Sequence, residues 1–453
     1  MKKFRFFAVL LCLAVTLTAL SAPAAASPLY SLPEDMTLSA QAALVVNLGT
    51  TAEQDTILFE KEADTMRSPA ALVRLMAGAY AATIIREKGL DVDAVQGTYT
   101  NACYELIGGT GLATAIMDIG ETWTLRDLLT MTMIQTAADA AVTLAVTLSG
   151  SHQQFVNGMN ELAKEIGCEK TSFANIHGLE AANQYTTARD LYRIFRYTMD
   201  FPEIRDMMST AEYTVHPVSG QAPSTWVNSN EMLRSSTSSY YSPVKFGRTG
   251  YTDEAGRCVV SLAADSGYEY VVVVLGCPDT DAQGNSGVQF ADSKALFRWA
   301  FRNFTYRTII SRNTPVDRLP VNLAWDTDTV TLVPKEDFAM VVANDLDPSA
   351  IRKVITREES VDAPIEKDKV YGKVELFINL DQKLGEVELV ASESIERSQA
   401  LAVWRSVKNF LLSPWFYVAL GGVLLLLLAY IILTIVHNRK RKRRRMKRVK
   451  RYR

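Results

Sequence analysis

The chain has 453 residues, 48% of them hydrophobic, enough to bury a core in two or three domains and too many for a disulfide-stapled mini-protein or a disordered tail. Its 48 Lys and Arg nearly balance 50 Asp and Glu, yet residues 439–453 hold twelve basic groups and no acid, and Lys2, Lys3 and Arg5 add three more. The remainder sets 33 basic residues against 50 acidic ones, a net of −17, which disfavours adhesion to anionic polymers and reads as charge sorted across a membrane.

Basic residues 1–5, apolar residues 6–20 and the small run Ala24-Ala25-Ala26 predict a secretory signal peptide over 1–26. Cys12 lacks the small residues before it that a lipoprotein signal needs, so no lipidation is expected. The run AALVVNL at 42–48 predicts a buried strand, and TILFE, after a polar turn, its hairpin partner. Pro69 opens a helix over about 70–88 that Gly89 stops.

Thr124 is an N-cap candidate for LRDLLTMTMI, followed by a helix on DAAVTLAVTL and an amphipathic helix over 153–166. After residue 240, RCVVSLAA and YEYVVVVLG flank the turn Asp265-Ser266-Gly267, and a last helix is expected over 291–304. This order describes an α/β sheet interrupted by an α subdomain, spanning 27–311. Short strands such as TVTLV, VYGKVELFI and VELVA then predict a small all-β domain over 312–397.

Residues 398–414 read as a juxtamembrane linker. Residues 415–436 carry no charge and, at about 1.5 Å per residue, are long enough for one transmembrane helix. The basic residues of 437–453 place the tail in the cytoplasm by the positive-inside rule, with the large domain outside the membrane. Such a tail also attracts anionic lipid or nucleic acid, but an orientation signal is the simpler use, and no nucleic-acid partner is expected. Cys103, Cys168, Cys258 and Cys277 show no CxxC or metal-ligand spacing, so buried free thiols are expected, with no metal and no cofactor.

The stretches RSPAALVRLM (67–76), TLRDLLTMTMIQTAADAAVTLA (124–145), FVNGMNELAKEIG (155–167), FANIHGLEAANQYTTARDL (173–191) and RTGYTDEAG (248–256) resemble, in this order, the serine D-alanyl-D-alanine carboxypeptidases. These are the low-molecular-weight penicillin-binding proteins that trim peptidoglycan stem peptides. APIEKDKVYGKVEL (363–376) is similar to the small C-terminal β domain of that family. The resemblance implies a β-lactamase/transpeptidase-like domain, an antiparallel sheet with an interrupting α subdomain, followed by a β domain and a membrane anchor.

The family cleaves by acyl transfer, using SxxK on a helix, SxN on a loop and KTG on a strand. In this register Ala71 takes the nucleophile position and Arg74 the base position. Alanine has no attacking atom, and arginine does not give up its proton to serve as a base. The second motif falls on Thr136, Ala137 and Ala138, after which Asp139 restores the pattern, and in the third Arg248 replaces Lys while Thr249 and Gly250 remain. The glycine that the family places two residues before that lysine is Phe246 here.

The resemblance further implies a backbone oxyanion hole at Ala71 and Tyr251, with Thr249 and Arg248 available to a ligand carboxylate. The only SxxK, Ser242 to Lys245, precedes the RTG strand and reads as coincidence, and Ser68 has no lysine partner. His177, Asn228 and Asn230 read as structural, and His152 and His216 as isolated. The expected function is a catalytically silent homologue at the cell wall that binds a stem peptide or an envelope protein. The alternative is an active peptidase with a displaced nucleophile such as Thr136.

Overall fold

The computed structural model describes residues 30–135, 137–215, 218, 223–378 and 382–449. The expected signal peptide, Thr136 and His216 lie outside them. The chain forms two compact units, one reaching Arg307 and taking in Met340–Leu346, the other made of Thr308–Ala339 and the chain from Asp347 onward.

The first unit is built on an antiparallel sheet of β1 (Ala42–Asn47), β2 (Thr56–Lys61), β3 (Val244–Thr252), β4 (Gly256–Asp265) and β5 (Tyr268–Cys277), in the order β2-β1-β5-β4-β3. Alternate residues of a strand face opposite sides, and here both sides are covered. Ala42, Leu44 and Val46 join one core with Val271, Val273 and Leu275, whereas Ala43 and Val45 join the other with Val272 and Val274. Double coverage explains why these strands read as continuous apolar runs. The β4–β5 turn falls at Ser266 and Gly267, which both take positive φ, at the place the sequence predicts.

The helices α1 (Val73–Lys88), α2 (Leu125–Ile134), α3 (Ala138–Ser149), α4 (His152–Glu165) and α5 (Ala188–Thr198) fill the larger core, and α6 (Val288–Asn303) covers the other face. Gly89 ends α1 at φ 59°, and the Thr124 hydroxyl accepts the Asp127 N–H at 3.1 Å, so both expected helix signals operate. Helix α6 begins three residues before its expected start. Helix α5 is not among the elements the sequence predicts.

Its Asp190, 1% exposed, takes the N–H groups of Glu169 (3.2 Å) and Lys170 (2.8 Å), the Thr171 hydroxyl (2.8 Å) and the Arg193 guanidinium (2.8 Å). The four cysteines expected as thiols are free, with Cys103, Cys258 and Cys277 buried and Cys168 partly so.

The second unit holds a six-stranded sheet of β6 (Asp317–Asn322), β7 (Thr329–Pro334), β8 (Arg352–Arg357), β9 (Val361–Asp362), β10 (Val370–Ile378) and β11 (Gln382–Ala391), ordered β8-β10-β11-β7-β6-β9. The segment read as a linker is instead mostly helical, as α7 (Gln399–Leu412), because Ser398 caps it through the Leu401 N–H. Helix α8 (Pro414–Val449) follows and is long and apolar enough to cross a membrane.

Removing the Asp190 carboxylate leaves buried donors without an acceptor. Asp190→Ala is expected to destabilise the protein by about 3 kcal/mol, whereas Asp93→Ala, which breaks the exposed pair with Arg126, is expected to leave the unfolding midpoint close to wild type. Urea unfolding of both variants beside the wild type measures the difference.

Candidate functional site

The cleft is organised around one turn. Ala71 lies in a short 3-10 segment, Ala70–Leu72, that leads into α1, and Ala70 holds φ at 45°, a region few non-glycine residues occupy. The Ser68 hydroxyl accepts the Ala70 N–H at 3.3 Å, a local turn contact. Two glycines press on this turn from separate parts of the chain. A Cβ on Gly178 would stand 2.5 Å from the Ala70 carbonyl oxygen, and one on Gly250 would stand 2.9 Å from the Leu72 nitrogen and 3.1 Å from that of Ala71. Any side chain at either position would pry the turn out of place.

Arg74 sits on the first turn of α1, only 1% exposed, and lines a cleft of roughly 370 Å³ together with Ala71, His177, Gly178, Thr249 and Gly250. Its Nη2 donates to the His177 carbonyl at 3.1 Å, while Nε and Nη1 have no acceptor among the described residues. Burial pushes its pKa down to about 10, an effect opposed by the Asp139 carboxylate. Asp139 itself is buried and accepts N–H groups from Ala115 (2.7 Å), Met117 (3.1 Å) and Ala140 (2.9 Å).

Arg248 is fully buried on β3, and its pKa is held well below the usual value, first by burial and then by repulsion from Arg74. Its Nη1 and Nη2 are committed to the Met133 (2.6 Å) and Gln135 (2.7 Å) carbonyls at the end of α2. Arg248 thus ties the β3 strand to α2 through two of its nitrogens, while its Nε has no acceptor among the described residues.

His177, read as structural, lines the cleft beside Arg74. His152 is not isolated, since its ring stacks on that of His177 at 6.1 Å and 10°. The Leu179 N–H donates to His177 Nδ1 at 3.3 Å, leaving the proton of the neutral ring on Nε2. Burial, then His152, then Arg74 bring the His177 pKa down to about 4.

On the opposite wall the Thr249 hydroxyl donates to Ser229 Oγ at 2.7 Å. Asn228 and Asn230 flank Ser229 and are buried, as expected of structural residues. Asn228 donates to the Met208 and Thr210 carbonyls, and Asn230 to Ser261 Oγ at 2.9 Å. The Tyr251 hydroxyl donates to Asp253 (2.7 Å) and Asp279 (3.1 Å) at the rim of the cleft. Phe246 packs on Phe195 with ring centroids 5.4 Å apart, next to an irregularity in the β3–β4 pairing, and the close approach passes to Gly247.

Ala138 opens α3, and its N–H donates to the Ala113 carbonyl at 3.0 Å. Lys245 is exposed on β3, away from α1, which agrees with reading the SxxK match as coincidence. No sequence signal points to Gln289, whose buried Oε1 has no partner among the described residues and which lines the cleft from α6. Ser229 lies within the family-like stretch around Asn228 and Asn230, where nothing in the sequence sets it apart.

Chemically, the cleft offers hydroxyls at Ser229, Thr249 and Thr252, a neutral imidazole that takes a proton poorly, and a buried cation. Ala71 contributes only a methyl group to the lining. Arrangement and charge suit binding of an anionic group better than proton transfer.

The sequence profile of the D-alanyl-D-alanine carboxypeptidase family matches residues 29–279, and that of the penicillin-binding protein 5 C-terminal domain matches residues 304–397. The chain is 25% identical to the D-alanyl-D-alanine carboxypeptidase DacF of Bacillus subtilis over 350 residues, 76% of this chain and 85% of that one. It is 27% identical to DacD of Escherichia coli over 334 residues, 73% of this chain and 81% of that one. Among solved structures, penicillin binding protein 5 of Haemophilus influenzae superposes with a TM-score of 0.61 at 22% identity, covering 81% of this chain and 100% of that one, which supports the fold.

Because the folded state holds His177 neutral with a pKa of about 4, against about 6.5 when unfolded, it binds fewer protons than the unfolded chain in that window. Stability is therefore lost as pH falls from about 6.5 through about 4. His177→Gln is expected to flatten this part of the curve relative to wild type, measured as the difference in urea midpoints across that range. Parallel curves would show that His177 contributes nothing to the acid sensitivity.

Proposed function

Since the chain belongs to the D-alanyl-D-alanine carboxypeptidase family of low-molecular-weight penicillin-binding proteins, we propose that it is a membrane-anchored member that binds peptidoglycan stem peptide without hydrolysing it. The observation that carries this reading is the pairing of Ala71 with a buried Arg74. One removes the attacking oxygen, and the other fills the place of the titratable amine with a cation that stays protonated at neutral pH. Loss of a serine nucleophile alone can cost about 10⁶-fold in a serine hydrolase, and Arg74 removes the route to activating a substitute.

The same proposal includes the layout. A signal peptide over 1–26 exports a penicillin-binding domain over 27–311 and a β domain over 312–397, and the 415–436 segment anchors them with the basic tail in the cytoplasm. Support comes from the apolar helix α8 and the charge asymmetry about it. Peptidoglycan is the ligand that the curated relatives' activity suggests, and an envelope protein would be the partner if the cleft proves closed to peptides.

Fluorescent penicillin labelling of the full-length protein, beside an Ala71→Ser/Arg74→Lys double variant, tests the reading. The wild type is expected to stay unlabelled and the variant to form a covalent adduct visible by intact mass. A labelled wild type would overturn the reading, and the acylated residue, Thr136 or Ser229 among the candidates, would identify a displaced nucleophile. If neither labels, the cleft has diverged beyond its nucleophile and the envelope-partner reading gains.

A further inference from the structure

Arg74 is 1% exposed, and two of its three guanidinium nitrogens have no acceptor among the described residues. Buried guanidinium donors without acceptors are costly, and an anion such as a carboxylate meets them best: Nε–H and Nη1 lie on opposite edges of the group, so the carboxylate takes a charge-assisted bond at one edge and cancels the charge. Among the described residues the protein supplies none. Asp139 is the carboxylate that acts on Arg74 electrostatically, but no ion pair joins the two, and its oxygens already accept the Ala115, Met117 and Ala140 N–H groups. Arg248 adds a second buried positive charge close enough to repel Arg74.

The position of the unmet donors matters. Arg74 follows Ala71 by three residues on a helical path, which puts the two on one side of α1, and both line the same cleft. The Ala71 methyl leaves room there, and the surrounding floor is backbone at Gly178 and Gly250. In an untrimmed stem peptide, the group beside residue 71 would be the carbonyl of the terminal peptide bond, neutral and flanked by an amide. Hydrolysis of that bond elsewhere replaces the amide nitrogen with an oxygen, and the same position then carries a carboxylate.

We propose that the cleft is a reader of trimmed stem peptides, in which Arg74 binds the C-terminal carboxylate left by removal of the last D-alanine, beside Ala71. The inference rests on the stem-peptide reading above and specifies its ligand. It places the protein downstream of a carboxypeptidase reaction, as a binder of that reaction's product. The untrimmed peptide is disfavoured because its carboxylate lies one residue further along and its amide carbonyl offers Arg74 no charge.

Isothermal titration of the full-length protein in detergent micelles tests this with diacetyl-L-Lys-D-Ala, its C-terminal amide, and diacetyl-L-Lys-D-Ala-D-Ala. The free acid is expected to bind at least about tenfold tighter than either of the other two. Arg74→Gln should bring the three together, and Arg74→Lys should keep part of the preference, with unfolding midpoints confirming that both variants fold. The amide comparison stands without any variant.

Equal binding of acid and amide by the wild type, or tighter binding of the untrimmed peptide, would overturn the proposal while leaving the stem-peptide reading intact. A preference that survives Arg74→Gln would also overturn it. If no peptide binds at millimolar concentration, both readings fall together.

Discussion

The cleft depends on a backbone contact that excludes side chains. The turn Ala70–Leu72 lies between Gly178 and Gly250, and a single Cβ at either glycine would come within 3.1 Å of its backbone. Ala70 accepts a positive φ in the same turn, a local strain of about 1–3 kcal/mol that persists only when the surroundings enforce it. The two glycines come from separate parts of the chain, and β3 carries one of them, so the sheet and the helical core must both be in place before the turn is held. That requirement is indifferent to the side chain at 71. The geometry of the turn is therefore independent of whether position 71 carries a nucleophile.

Arg248 illustrates the other side of the exchange. A lysine has one nitrogen to place, whereas an arginine at this position reaches two carbonyls at the end of α2 and fastens β3 to the helical core. The Arg248 guanidinium thus acts as a fastener across the wall of the cleft. Arg74 does not do the equivalent, because only one of its nitrogens finds a carbonyl. Two buried arginines that sense each other's charge therefore have different physical consequences.

Much of the fold was legible because its signals are local. Strands β1, β4 and β5 are apolar on both faces, so each appears as an unbroken run, and Thr124 and Gly89 mark helix ends by chemistry that acts within four residues. Helix α5 also carries a local signal, since Leu191, Ile194, Phe195 and Thr198 recur at helical spacing behind the Thr187 cap, with Arg189, Arg193 and Arg196 together on the other face. Pairing of Arg189 with Asp64 and Glu60, and of Arg196 with Asp55, makes those charges tolerable across the chain. The site positions 71, 74 and 248 followed from family register. The duties of Arg248, the stacking of His152 on His177 and the open oxygen of Gln289 did not, since each depends on which distant backbone or ring the side chain meets.

If the cleft were only a relic, its buried charge should be the first thing lost. Replacing a buried ion by an apolar residue of similar volume is commonly neutral or stabilising by about 1–4 kcal/mol, and Arg74 is buried enough for that rule to apply. The retained guanidinium instead costs desolvation with one hydrogen bond in return. Histidine beside it is kept neutral, so it neither adds to the repulsion nor supplies the missing negative charge. A buried cation whose donors stay open beside an alanine suits an anion, whose binding would supply free energy that folding alone does not.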